Sequence, residues 1–158
     1  MKVVVQRAID ASVTVDENVV GSIEHGIVLL VGFTQGDSIK EINYMVDKVI
    51  NLRIFDDENG IMNKSLIDIN GSILSISQFT LYGDAKKGRR PSYAKALGGD
   101  EAILLYKLFN QSLRENLMKF NSISRVEEGI FGAEMKVNFT NDGPVTIILE
   151  KEGEKNGE

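Results

Sequence analysis

A chain of 158 residues with 42% hydrophobic content is the size of one domain and can bury a sizeable core without staples. It has no cysteine, which excludes disulfides, thiolate metal sites and cysteine nucleophiles, and its single histidine, His25, argues against a histidine metal cluster. The net charge of −5 argues against a protein coated in nucleic acid, and no signal-peptide pattern or apolar run of membrane-spanning length is present, so the expected location is the cytoplasm.

Val3-Val4-Val5 predicts an opening strand over residues 2–7, buried on both faces. Val13 and Val15 then alternate with Ser12 and Thr14, and Asp16-Glu17-Asn18 turns the chain into Val19-Val20, the pattern of a hairpin. The glycine-bounded run 26–32 reads as a central strand, with His25 a strand-end residue rather than a catalyst. Ser38 followed by Glu41 has the form of a capping box, and Ile39, Ile42, Val46, Val49 and Ile50 recur at helical spacing, so a helix is expected over 38–50. Residues 52–55 read as a strand, with turns at Asn59-Gly60 and Asn70-Gly71. The second turn leads into a strand over 73–79, with Leu74 and Ile76 facing one way and Ser75 and Ser77 the other. That strand delivers Ser77-Gln78-Phe79-Thr80 at its C-terminal end.

The next segment is basic. Between Ala85 and Leu97 the charges are Lys86, Lys87, Arg89, Arg90 and Lys95, without an acid among them, and the Arg90-Pro91 step is expected to be extended. Leu105, Leu108, Phe109, Leu113 and Leu117 form the apolar stripe of a second helix over 101–119. After a linker near Ser122, Met135, Val137 and Phe139 alternate with polar residues, and a second apolar run follows over 145–149. Between these runs, Asn141-Asp142-Gly143-Pro144 reads either as a hairpin turn or as a backbone element built to touch a ligand. Residues 1–150 make one domain, and the polar segment 151–158 is expected to be a disordered tail. Short strands, tight turns and two helices predict an α+β fold, a largely antiparallel curled sheet or barrel with the helices packed against it. Most strand links look too short for the crossovers of a doubly wound parallel sheet.

Several chemistries drop out by elimination. A Ser-His-Asp set would need His25, and no Gly-x-Ser-x-Gly elbow is present to offer a nucleophile. Neither a Walker A sequence nor Gly-x-Gly-x-x-Gly occurs. Lys86-Lys87-Gly88-Arg89-Arg90 is equally a nucleic-acid patch or a solvated loop. Ser77-Gln78-Phe79-Thr80 could bind a carbonyl or phosphate through hydroxyls, an amide and backbone N–H groups, or could be an ordinary strand with a polar outer face.

Taken together, the segments resemble a known family. Ser77-Gln78-Phe79-Thr80-Leu81, Lys87-Gly88-Arg89-Arg90-Pro91-Ser92-Tyr93, Phe131-Gly132-Ala133-Glu134-Met135-Lys136-Val137 and Asn141-Asp142-Gly143-Pro144-Val145-Thr146 are similar, in order and spacing, to the D-aminoacyl-tRNA deacylases. Gln6-Arg7, residues 11–15 and Leu52-Arg53-Ile54-Phe55 fit the same pattern. Glu128 departs from it, standing where a small or hydroxyl residue is expected, and the 151–158 tail lies outside it.

The resemblance implies hydrolysis of the ester between a D-amino acid and the 3′-terminal ribose of tRNA, by a homodimer with active sites at the subunit interface and with no metal or cofactor. It implies a cis Gly143-Pro144 peptide inserted into the partner's pocket, where its carbonyls turn away L side chains. Glycine has no side chain to reject, so Gly-tRNA-Ala is an expected substrate. Ser77 and Gln78 are expected to orient the substrate, and backbone donors near Phe79 and Thr80 to hold the ester carbonyl. Thr80 as nucleophile and assistance by the ribose 2′-OH are the two catalytic alternatives, and the second suits a chain without an evident base beside Thr80. The resemblance further implies that Phe131 and Met135 line the pocket and that Arg7 supports the partner's Gly-Pro loop. Lys86, Lys87, Arg89 and Arg90 are expected to meet tRNA phosphates. Two rivals are a non-catalytic nucleic-acid-binding module using the same basic loop and a general esterase with its own side-chain nucleophile.

Overall fold

The computed structural model describes residues 1–153; residues 154–158, which carry most of the expected tail, lie outside the described residues. The chain opens with two long antiparallel strands, β1 (Lys2–Val15) and β2 (Asn18–Gly32). They are joined at Asp16 and Glu17, whose φ values of 48° and 67° are those of a tight hairpin turn matched to strand twist. Helix α1 (Ile39–Asn51) follows, then a small hairpin of β3 (Phe55–Asp56) and β4 (Met62–Lys64). Strand β5 (Ser72–Ser77) runs into a 3₁₀ turn at Phe79–Tyr82, and α2 (Gly99–Met118), β6 (Val126–Glu128) and β7 (Lys136–Glu150) complete the chain.

The main sheet has the order β6-β5-β2-β1-β7. The fold is α+β with two helices, as the sequence predicts, but the sheet is mixed. Beside the long antiparallel ladders of β1 with β2 and β7, β5 runs parallel to both β2 and β6. The sequence reading underestimated the crossovers: α1 with the small hairpin links β2 to β5, and α2 links β5 to β6, and each is long enough to return the chain in parallel. Of the 52–55 strand, only Phe55 is in strand, paired to Lys64.

Burial follows from this order. One face of the sheet, with Val3, Val5, Ile27, Leu29, Val31 and Ile73, packs on Ile42, Met45, Val46 and Val49 of α1 and on Phe109, Leu113 and Leu117 of α2. The α1 helix begins with the expected capping box, in which Ser38 and Glu41 satisfy each other's backbone and side-chain groups. The opposite face carries a smaller cluster, Ala8, Ala11, Val13, Ile23, Val28, Leu74 and Ile76, against which Met135, Val137 and Phe139 are only half-buried. Strand β5 sits between both clusters, so Ser75, on the face opposite Leu74 and Ile76, is fully buried too.

Of the two readings of Gly143-Pro144, the hairpin turn between two paired strands is not what forms. Both halves of β7 pair with the same strand: Lys136 to Asn141 lie against Thr14 to Ala8, and Thr146 to Glu150 against Gln6 to Lys2. Between them, the four residues Asp142, Gly143, Pro144 and Val145 stand opposite the single residue Arg7. This interruption reverses which face alternate residues occupy. Val137 and Phe139 join the smaller cluster, whereas Val145, Ile147 and Leu149 join the helix-covered one. The Gly143–Pro144 peptide is cis. Beyond β7, Lys151 exchanges backbone hydrogen bonds with Met1, donating at 3.0 Å to the Met1 carbonyl and accepting at 2.8 Å from the Met1 ammonium.

Candidate active site

Where β5 ends, the backbone N–H of Gln78 donates to the Val31 carbonyl at 2.7 Å, fastening the Ser77-Gln78 step to the end of β2. The chain then tightens into the 3₁₀ turn at Phe79–Tyr82, in which Leu81 N–H donates to the Gln78 carbonyl at 3.2 Å. The first N–H groups of such a turn have no carbonyl within it to bond. Those of Phe79 and Thr80 donate to no other backbone group among the described residues.

Beside this step lies a cavity of about 240 Å³ lined by Ser77, Gln78, Phe79, Phe131, Met135 and Gly32, with Ile76, Leu97 and Val137 adding apolar wall. Phe131 is backed by Tyr106, ring centres 5.9 Å apart, and the buried Tyr106 hydroxyl donates to the Ser75 carbonyl at 2.8 Å. Burial raises the Tyr106 pKa above the ordinary tyrosine value, so this hydroxyl stays protonated and a donor. Among the described residues, no acidic, basic or histidine side chain lines the cavity. Its chemistry is that of a mostly apolar chamber lined also by Ser77 and Gln78: it can hold an apolar side chain and offer hydrogen bonds to a carbonyl, and its lining holds no general base among the described residues.

Five of the expected site residues, Ser77, Gln78, Phe79, Phe131 and Met135, therefore come together. Thr80 is exposed and stands just off the cavity lining, its hydroxyl accepting a hydrogen bond from the Gln78 carboxamide. No carboxylate or imidazole bonds to Thr80 among the described residues. Gly32, Leu97 and Ala133 also line the cavity and were not singled out from sequence. Their one legible sign was the glycine that closes the 26–32 run: a Cβ on Gly32 would stand 3.0 Å from the Gln78 carbonyl oxygen and 3.2 Å from Leu81 Cβ.

Arg7, Gly143 and Pro144 gather elsewhere, and none lines the cavity of its own chain. Arg7 is buried. Its Nε donates to the Asp142 carbonyl at 2.9 Å and its Nη1 to the Ile54 carbonyl at 3.0 Å, with carboxylates of Asp56 and Asp142 at 3.4 and 3.5 Å. Within the chain, Arg7 thus grips its own Asp142–Val145 loop. Gly143, with φ of 131°, and Pro144 are exposed.

Lys86, Lys87, Arg89 and Arg90 are all exposed on a loop closed by reciprocal backbone hydrogen bonds of 2.8 Å between Asp84 and Ser92. None of the four is within ion-pair distance of an acid among the described residues. Nor do three or more His, Asp or Glu side chains come together among the described residues in a way that could hold a metal ion. His25 lies within β2, opposite Ile9, with its ring edge-on to Phe55 at 5.8 Å, and is not part of the cavity lining.

The sequence profile of the D-Tyr-tRNA(Tyr) deacylase family matches residues 4–150. The chain belongs to that family. It is 53% identical over 150 residues to a D-aminoacyl-tRNA deacylase of Geobacillus sp. (strain WCH70), covering 95% of both chains. It is 54% identical over 150 residues to the D-aminoacyl-tRNA deacylase of Bacillus velezensis (strain DSM 23117 / BGSC 10A6 / LMG 26770 / FZB42), covering 95% of this chain and 98% of that one. Among solved structures, one described as a c-Myc DNA unwinding element binding protein superposes with a TM-score of 0.88 at 41% identity, covering 97% of this chain and all of the other. A probable eukaryotic D-amino acid tRNA deacylase shares the fold, with a TM-score of 0.80 at 20% identity.

As a member of the deacylase family the chain is an enzyme of the hydrolase class. Its departure at Glu128 has a local partner set: the carboxylate accepts hydrogen bonds from Asn110 at 3.0 Å and from Arg114 at 2.9 Å, tying β6 to α2. Among the described residues no helix is long and apolar enough to cross a membrane.

Proposed function

We propose that this chain hydrolyses the ester of D-aminoacyl-tRNA, releasing free D-amino acid and tRNA, and that it spares L-aminoacyl-tRNA. The observation that carries the reading is the cavity itself. It is mostly apolar, with no titratable side chain in its lining among the described residues, yet Ser77, Gln78 and Phe79 line it, next to the Phe79 and Thr80 N–H groups that have no backbone partner among the described residues. Such a chamber suits an aminoacyl ester whose carbonyl oxygen gains negative charge as water adds to its carbon. In this mechanism the Phe79 and Thr80 N–H groups hold that oxygen while Ser77 and Gln78 orient the substrate. The ribose 2′-OH of the RNA relays the proton from the attacking water to the departing 3′ oxygen. The ester C–O bond breaks, and no covalent enzyme intermediate forms. Thr80, with no base beside it and its hydroxyl engaged by Gln78, is a poor nucleophile.

Chirality is assigned to Gly143 and Pro144 of a second subunit in a homodimer. Two observations support this: the pair is exposed and not in the lining of its own chain's cavity, and Met135, just before β7, and Val137 and Phe139 within it are half-buried while Ile148 is 71% exposed, an apolar face that a second copy would cover. Carbonyls placed where an L side chain would project turn it away by clash and by unpaired dipoles. Glycine passes such a filter, so Gly-tRNA-Ala is hydrolysed too. Lys86, Lys87, Arg89 and Arg90 meet tRNA phosphates without reading sequence. The setting of the reaction is the cytoplasm.

Purified protein incubated with D-tyrosyl-, L-tyrosyl- and glycyl-tRNA tests the reading: D and glycyl esters are expected to be cleaved and the L ester to survive. Intact D-tyrosyl-tRNA would instead favour the rival, a non-catalytic nucleic-acid-binding module. Thr80→Ala is expected to keep most of the activity, while a 2′-deoxy terminal adenosine abolishes it; the reverse result would establish a side-chain esterase.

A further inference from the structure

The 3₁₀ turn that begins at the catalytic cavity ends at another. Tyr82, Gly83 and Asp84 line a second cavity of about 370 Å³ together with Lys2, Lys86 and Lys95. Three lysines thus contribute to the lining of one cavity in a chain whose net charge is −5. None of the three is within ion-pair distance of an acid among the described residues, although Arg7, Lys64, Arg114 and Arg125 all are. Asp84 is the one carboxylate in the lining, and its Oδ1 is occupied by the Lys86 backbone N–H at 2.9 Å. Lys2 is held in place, its Nζ 4.6 Å from the centre of the buried Tyr82 ring. Asp37, Glu150 and Glu152 act on the Tyr82 hydroxyl and Glu150 stands opposite Lys2 on β7, but none of these acids lines the cavity, and lysines grouped around a concavity attract an anion.

The surroundings indicate which anion. Phe79, 54% exposed, and Tyr93, 42% exposed, meet edge to face with ring centres 5.2 Å apart. Phe79 also lines the catalytic cavity, and Tyr93 crosses close to Gly83, where a Cβ would stand 3.0 Å from its ring. Exposed aromatic rings beside a row of lysines are the means by which proteins hold single-stranded nucleic acid, rings for bases and ammonium groups for the backbone. The spacing agrees. A 3₁₀ helix rises about 2 Å per residue, so Phe79 and Tyr82 are roughly 6 Å apart along the turn. Stacked nucleotides repeat at about 3.4 Å, which makes this the span of one or two nucleotides.

We propose that the second cavity binds backbone phosphates of the single-stranded 3′ end of the tRNA substrate, one or two nucleotides back from the ester, with Phe79 and Tyr93 offering a face to a base. The inference rests on the ester-hydrolase reading above. It adds Lys2 and Lys95, both outside the 86–90 loop, to the substrate path, and it fixes the direction in which the RNA leaves the active site.

The test measures binding of a labelled four-nucleotide RNA ending in CCA-3′ to the full chain, across a salt series. Lys2→Ala and Lys95→Ala should each weaken binding about three- to tenfold and make the log–log salt slope shallower by about 0.7, the single-strand value for one phosphate contact. Lys2→Arg should restore Lys2, and Lys107→Ala, exposed on α2, should bind as the wild type does. On RNA with uncharged methylphosphonate linkages the two lysine effects should vanish. Melting temperatures confirm that folded proteins are compared, and Lys95, on an exposed loop, carries the test should Lys2→Ala fail to fold. Wild-type affinity in both lysine variants, or an equal loss on the uncharged RNA, overturns the proposal. Hydrolysis of D-tyrosyl-tRNA by the wild type, run alongside, separates the two readings. If the ester is cleaved but the lysines have no effect, only the phosphate site falls; if it is not cleaved, the ester-hydrolase reading falls with it.

Discussion

Replacing Arg7 by lysine keeps the charge and removes the fork, and so asks what holds the Asp142–Val145 loop. The guanidinium reaches two backbone carbonyls at once, those of Asp142 at 2.9 Å and Ile54 at 3.0 Å. A hydrogen bond from a charged donor contributes about 1.5–3 kcal/mol, and a lysine ammonium on a shorter, unforked stem can satisfy one of the two. The carboxylates of Asp56 and Asp142 are 53% and 42% exposed, and solvent screening leaves them little to add. The expected loss is therefore about 2 kcal/mol. For a domain of this size that lowers Tm by about 4–8 °C. Four residues of β7 stand opposite Arg7 alone, so the loop it releases has no other strand partner there. We expect kcat/KM on D-tyrosyl-tRNA to fall at least about tenfold and the D-to-L rate ratio to narrow, since a loosened filter rejects less well. Thermal unfolding and paired D and L deacylation rates read both effects. An Arg7→Lys enzyme with wild-type Tm and D-to-L ratio would refute the reasoning.

Gly143→Ala forces a side chain onto a φ of 131° and puts its Cβ 2.8 Å from Val145 Cγ2 and 3.2 Å from Arg7 Nη2; a strain of about 1–3 kcal/mol is expected, with lost D activity or new L activity, and unchanged rates on both would remove Gly143 from the filter. Gly32→Ala presses on the Gln78 carbonyl at 3.0 Å and should lower kcat more than it lowers Tm, as the segment it displaces carries the N–H donors; a fall in Tm with kcat intact would make Gly32 a packing residue only. Glu41→Gln probes the α1 cap. Burial pushes the Glu41 pKa up, but hydrogen bonds from the Ser38 hydroxyl and backbone outweigh it, so the folded pKa lies below the ordinary value of 4.5. The stability this contributes is present above pH 4.5 and lost as pH falls through the folded pKa. The wild-type advantage over Glu41→Gln, about 1 kcal/mol near pH 7, should shrink in acid melts; an advantage that grows below pH 4 would contradict the sign.

What the sequence disclosed depended on how local the determining physics was. The α1 cap, the Asp16-Glu17 turn and the apolar stripe of α2 are each set by residues within a few positions of one another, and all were legible. The burial of Ser75 was not legible, because clusters on both sides of β5 set it from a distance, and the expected 52–55 strand is confined to Phe55, which Lys64 pairs across a hairpin. Gly143-Pro144 is the sharpest case. Two apolar runs separated by Asn-Asp-Gly-Pro look like hairpin arms, since nothing in their own pattern says that both will pair with β1. Arg7, whose Nε bonds to the Asp142 carbonyl, lies 135 positions away, so the residues themselves do not show this contact, and only the family resemblance linked Arg7 to a Gly-Pro loop. The site followed the same rule: contiguous Ser77-Gln78-Phe79 was found, whereas Gly32, Leu97 and Ala133 reach the cavity by folding.

The separation of the two clusters makes the dimer reading testable by mixing subunits. If cavity and filter met within one chain, Gln78→Ala would damage the first and Gly143→Ala the second of the same site, and combining the variants could restore nothing. In a two-fold dimer where each chain lends its filter to the other, a mixed dimer holds one site with both defects and one with neither. The intact site pairs the cavity of the Gly143→Ala subunit with the filter of the Gln78→Ala subunit. Random re-association makes about half of the dimers mixed, so about one quarter of all sites should regain wild-type rate and D-over-L selectivity. Neither parent alone should show that activity. Mixed dimers isolated on two different affinity tags and found as inactive as their parents would rule out a shared site. They would also return Gly143 and Pro144 to the chain's own surface, where Arg7 would be holding a loop of structural use alone.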